Sequence, residues 1–113
     1  MRVKLKEMSS SMKFIMADNV KAIALYPFGI YFRDVNAKYD DETVNHEIIH
    51  WKQQIELFCI FFYVLYILEF VVRFIVSRST AYKKISFEQE AYSNQKSNMY
   101  IYNRTKYAWK KYL

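Results

Sequence analysis

Residues 43–76 read TVNHEIIHWKQQIELFCIFFYVLYILEFVVRFIV, a run with no glycine and no proline. Nothing in it stops a helix, so the pattern fits one long helix or two joined by a bend. Acidic residues crowd its start, and Asp41 or Thr43 can cap it. Near that start stands His46-Glu47-Ile48-Ile49-His50. Histidines four apart share one face of a helix and can offer both imidazoles to a single metal ion. Glu47, next to the first of them, is placed to serve as general base on a water. The chain holds only two histidines, and chance would set them in this pattern roughly once in a thousand such sequences. The plainer alternative is a pair of partly buried histidines on an ordinary helix face.

A catalytic zinc takes a third protein ligand. The extended pattern HExxHxxGxxH is absent, because position 53 is Gln and position 56 is Glu. With no glycine at 53 the helix continues, which turns Glu56 away from the histidine face. The third ligand must come from elsewhere, and Phe87-Glu88-Gln89-Glu90-Ala91 offers the best candidates. Glu88 shares a helical stripe with Tyr92, Gln95, Met99, Tyr102 and Trp109, which is the apolar face. Glu90 falls with Asn94, Ser97, Ile101 and Arg104 on a more polar one. A carboxylate on an apolar face needs a partner, so Glu88 is preferred and Glu90 stands as the alternative. A di-iron bundle would need a second ExxH, and no third histidine exists to supply it.

HExxH followed by a glutamate in the E-x-x-A setting of Glu88-Gln89-Glu90-Ala91 resembles the gluzincin branch of the zincin metallopeptidases. The strings NHEIIHWKQQIEL (45–57) and AYKKISFEQEAY (81–92) look like those of a group of short zincin-like proteins. The resemblance spans residues 22–112. It implies a zincin-like fold, Zn2+ held by His46, His50 and Glu88, Glu47 as catalytic base, and a peptide or protein substrate. It also implies that substrate adds as a strand along an edge within residues 22–33. Tyr82 and Tyr92 are candidate phenolic donors near the site.

Around this element the chain reads as one domain, 1–113. Residues 1–20 form a weakly structured lead. Residues 21–33, KAIALYPFGIYFR, are rich in β-branched and aromatic residues. Pro27 confines their first half to a sheet edge and Gly29 permits a turn or bulge, so a hairpin and a kinked strand fit equally well. Residues 34–41 are a polar connector and residues 77–86 a basic, polar break. Ser86 with Gln89 makes a capping-box pattern opening a C-terminal helix over 86–112. The expected class is α+β and mostly helical, with an edge strand or hairpin packed on two to three helices.

Composition narrows the remaining choices. A single cysteine, Cys59, excludes a disulfide framework, and it reads as an inert core thiol. One glycine, one proline and 53% hydrophobic residues exclude collagen-like and disordered chains. Seventeen basic against eleven acidic residues give a net charge of +6, gathered toward both ends. No nucleic-acid motif accompanies it, so a nucleic-acid partner is not expected and a solvated basic face is. The first 16 residues lack a signal-peptide pattern, pointing to a cytoplasmic or membrane-associated protein.

Residues 57–76, interrupted only by Glu69 and Arg73, are long enough to span a bilayer. A straight helix from His50 to Val76 would run about 39 Å. The twelve residues on to Glu88 could return at most about 40 Å. A shared metal site therefore favours a bend, with the apolar segment in the core, dipping into one leaflet, or forming a homo-oligomer contact. Trp51 and Trp109 read as packing anchors, and Gln53, Gln54 and Glu56 as surface or ligand-orienting groups. Besides the peptidase, two other readings stand: an inactive zincin-fold structural module, and a small membrane-associated interaction protein in which HExxH is incidental.

Overall fold

The computed structural model describes residues 3–16 and 19–113. It is a mostly helical α+β domain in which a three-stranded sheet lies against a group of helices. The sheet comprises β1 (Leu5–Glu7), β2 (Ala22–Leu25) and β3 (Gly29–Phe32). β3 is central, antiparallel to β2 and parallel to β1. Of the two forms open for residues 21–33, the hairpin is the one found, and β2 before Pro27 is an edge strand. Gly29 begins β3 at φ 148°, and a Cβ there would stand 3.0 Å from the Lys4 carbonyl oxygen. Glycine is thus required both by backbone conformation and by the close approach of the first strand.

The described part of the expected lead contains a short strand and a short helix. Ile30 N–H donates to the Lys4 carbonyl and Met8 N–H to the Phe32 carbonyl, which holds β1 in place. Ser9 caps α1 (Ser10–Ile15). The residues of β1 are all exposed, so no inward-facing pattern marks them as a strand; only the pairing does.

Asp34 caps the short α2 (Val35–Lys38), and α3 (Asp41–Glu56) follows as the central helix. Trp51 packs with Ile30 and Phe32 toward the sheet, while Ile49 meets Ala91 and Ile101 on the other side. Gln54 pegs the helix to the strand, donating from Nε2 to the Ala24 carbonyl and accepting from Tyr26 N–H, both at 2.8 Å. It is buried, not a surface group.

Between α3 and α4 (Ile60–Val76) the chain turns by 112°. Phe58 and Cys59 take φ of 53° and 63°. Cys59 N–H reaches the Gln54 carbonyl and Phe58 N–H the Ile55 carbonyl. That is the Schellman pattern, with phenylalanine at the left-handed position where glycine is usual. Placing a side chain there costs about 1–2 kcal/mol, which the caps and the packing of the next helix offset. Among the described residues no single helix is long and apolar enough to cross a membrane.

A 3-10 turn (Arg78–Thr80) and α5 (Ala81–Lys84) lead to α6 (Ser86–Asn94). The expected capping box is not formed. Ser86 donates its amide and hydroxyl to Glu69 of α4, at 2.7 and 2.6 Å, and Gln89 turns back to the Lys84 carbonyl. Glu69 thus caps α6 from outside, and its pair with Arg73 is a long 3.4 Å. Phe87 packs with Phe62, Ile85 and Trp109 beneath that junction, and both tryptophans are packing anchors.

The expected helix over 86–112 is three pieces: α6, α7 (Tyr100–Asn103) and a 3-10 segment (Ala108–Tyr112). Asn45 donates to the Gln95 carbonyl at 3.0 Å. This bond lies just past Asn94, the last residue of α6. The later pieces are tied back by Arg104. Its guanidinium meets Glu90 and Glu56 in a buried cluster, joined by Tyr100 Oη and Gln53 Nε2, both donating to Glu90.

Removing the cation from that cluster would leave two buried carboxylates unpaired. Arg104→Ala is expected to lose about 3–5 kcal/mol in urea unfolding. Glu56→Gln, which leaves Arg104 paired with Glu90, is expected to lose clearly less.

Candidate metal centre

α3 also buries much of its polar surface. Asn45, His46, Glu47, His50 and Gln53 all lie inside. Burial of this many polar side chains on one helix is stable only if each finds a partner. His46 Nδ1 lies 2.7 Å from Gln95 Oε1, and His50 Nδ1 lies 2.8 Å from Gln53 Oε1. The amide orientations follow from the other ends. Gln95 Nε2 donates to Glu42, and Gln53 Nε2 to the Phe87 carbonyl and Glu90.

Both Nδ1 atoms therefore carry their proton, since a carbonyl oxygen accepts. On a neutral ring that leaves Nε2 with a bare lone pair. The two Nε2 atoms face each other at 3.2 Å, and Glu88 Oε1 lies 3.1 Å from His46 and 3.0 Å from His50. Three lone-pair donors thus point at one place with no proton to share among neutral rings. Two imidazoles and a carboxylate, with Nδ1 of each ring held by an amide, fit a zinc ion by donor type and by ligand orientation.

Glu88 reaches this point from the first turn of α6, set by the Glu69 cap and the Phe87 packing beside it. Tyr66 Oη donates to its second oxygen, Oε2, at 2.8 Å. Glu90, the alternative, is turned to Arg104, and Glu56 likewise lies away from the histidines. Tyr92 stands edge-on to His46 with ring centres 4.5 Å apart. Tyr66, Asn45 and Gln95 are the site residues that sequence reasoning missed. Tyr66 carried a signal, as the hydroxyl on the stripe Phe62, Tyr66, Phe70 that faces the protein, and Gln95 carried one as a polar residue on the apolar stripe of Glu88.

The charges in this pocket respond to one another. Burial raises the Glu47 carboxyl to about 6, with His50 and His46 pulling it partly back and the Ala24 amide donating to it. Burial would lower His50, but the Glu88 carboxylate outweighs it and holds the ring at about 9. Burial likewise opposes ionisation of Glu88, and His50 and His46 reverse that, keeping its carboxyl well below the usual range. In the metal-free protein a proton on His50 supplies the cation the three donors need.

Two cavities adjoin the centre. A cleft of about 690 Å³ is lined by Lys21, Ala22, His46, Glu47, Tyr82 and Tyr92, so both candidate phenols border it. Burial and the Glu88 carboxylate push the Tyr82 phenol far above its usual range, leaving it a hydrogen-bond donor at any ordinary pH. A smaller space of about 280 Å³ lies between β2, His50 and the first turns of α4. β2 is the sheet edge facing both, and at Ala24 that edge is already occupied by Glu47 and Gln54.

Because folding raises His50 from 6.5 to about 9, its contribution to stability is complete below its unfolded value and lost as pH rises through the folded one. Thermal melts of chelator-treated protein are expected to weaken across that window. Zinc affinity is expected to run the other way, rising with pH as the ion displaces the proton. Gln53→Leu, which frees His50 to rotate, is expected to weaken zinc binding about 10–100-fold in a chelator competition.

Comparison with protein-family models, with curated proteins and with solved structures finds no match. The functional reading therefore rests on the chemistry of these side chains.

Proposed function

We propose that this chain is a small zinc-dependent metallopeptidase of zincin-like, gluzincin type. The observation that carries the reading is the convergence of His46 Nε2, His50 Nε2 and Glu88 Oε1 within 3.2 Å of one another. Zinc bound there would supply Lewis acidity to a water and to the scissile carbonyl.

The remaining chemistry belongs to the chain. Glu47 lines the cleft beside His46, where its carboxylate can act as a proton acceptor. It takes the proton of the attacking water and returns it to the departing amine. Tyr82 and Tyr92, on the same cleft, donate toward the carbonyl oxygen as negative charge develops on it. A peptide or protein segment lies along the edge of β2 at Ala22, gaining main-chain hydrogen bonds. The cleft volume leaves room for several side chains.

Metal analysis by plasma mass spectrometry, with a peptide-library cleavage assay, tests this. The parent protein should carry near-equimolar zinc, and His46→Ala and Glu88→Ala should lose it. Glu47→Gln should keep the zinc while hydrolysis falls by about 10²–10⁴. Zinc without cleavage by the parent would point to the inactive structural module. No zinc after reconstitution would sink both readings.

A further inference from the structure

The helix α4 is built inside out. Its inward stripe, Phe62, Tyr66, Glu69, Phe70 and Arg73, includes both of its charged residues. Its other twelve residues are exposed, and every one is hydrophobic: Ile, Phe, Tyr, Val or Leu. Ile67, Leu68, Val72, Ile75 and Val76 are each at least 58% exposed. A helix facing water carries its polar residues outward. A typical monomer's largest apolar patch is about 300–600 Å², and twelve such side chains on one helix exceed it.

The shape of this surface selects its occupant. At 100° per residue the exposed positions cover an arc of about 220° around the axis. A second copy packing by ridges and grooves covers a much narrower stripe, whereas lipid surrounds whatever it meets. The helix is about 25 Å long, short of the roughly 30 Å hydrocarbon core, and the domain is packed along its inward stripe. Charge points the same way. Arg73, Arg78, Lys83 and Lys84 gather at its C-terminal end, and no acidic residue lies between positions 70 and 87. Arg78, Lys83 and Lys84 are exposed.

We infer that α4 docks this protein on an anionic phospholipid bilayer, lying in one leaflet with the rest of the domain standing where an interfacial helix has its polar face. The basic end meets the headgroups. Tyr63 belongs both to the exposed face and to the wall of the smaller cavity beside His50. Docking therefore brings the candidate metal site to the membrane surface. The inference stands on α4 and the basic residues that follow it, and it does not require zinc or hydrolysis.

Vesicle flotation with the full chain tests it, using phosphatidylcholine vesicles with and without phosphatidylserine. The parent should float with the phosphatidylserine vesicles, and less with the neutral ones. Ile67→Glu with Val71→Glu should abolish flotation while circular dichroism stays unchanged. Arg78→Glu with Lys83→Glu should weaken binding to the anionic vesicles on the order of tenfold or more. In Val72→Trp, added phosphatidylserine vesicles should shift tryptophan emission to the blue. A parent that stays unbound to either vesicle, an unshifted Val72→Trp spectrum, or a folded Ile67→Glu/Val71→Glu variant that floats like the parent would overturn the inference. An unbound parent that light scattering shows to be an oligomer, made monomeric by the same double substitution, would assign the face to a second copy instead.

Discussion

Two imidazole nitrogens and a carboxylate oxygen meeting in a buried space repel one another unless a cation lies among them. Most of the surrounding structure can be read as the cost of holding that arrangement. Gln53 and Gln95 fix the ring protons on the outer side of each histidine, which turns the lone pairs inward. Each glutamine is itself held at its amide end, Gln53 by Glu90 and the Phe87 carbonyl, Gln95 by Glu42. Orientation thus passes outward in two layers, and the imidazole rings cannot rotate without breaking hydrogen bonds in both.

The same chain of dependence explains the charged residues of the apolar helix. Glu69 caps α6, which has no capping side chain of its own, and a helix beginning at Ser86 brings Glu88 to the histidines. Glu90, two residues on, needs Arg104, and Arg104 draws in Glu56 and the C-terminal segment. The centre, the bend after α3 and the path of the last 20 residues are therefore coupled. The outward side of α4 takes no part in this network, which leaves it available for a different environment.

Much of the site was legible because helical spacing is a local property. Residues 46 and 50 share a face wherever a helix forms, and Glu47 follows from adjacency alone. The apolar stripe singled out Glu88 because a carboxylate there needs a partner within the protein. The supporting groups were less visible. Gln95 and Tyr66 lie far in sequence from the histidines, and they, like Asn45 beside His46, matter only through contacts made on packing.

By itself the sequence determined the mixed, mostly helical class, the β-forming stretch 21–33, the paired histidines with their glutamate, and the length of the apolar segment. These depend on local periodicity, turn chemistry and composition. The tertiary structure decided what has no local cause. It turned the chain at Phe58 and Cys59 with no glycine present, because packing and the Schellman bonds outweigh the strain. It made a strand of the exposed Leu5–Glu7, through pairing alone. It broke the expected C-terminal helix into three pieces and tied the later ones back through Arg104 to Glu90. Each of those outcomes is set by a partner distant in sequence, and a reading of neighbours cannot supply one.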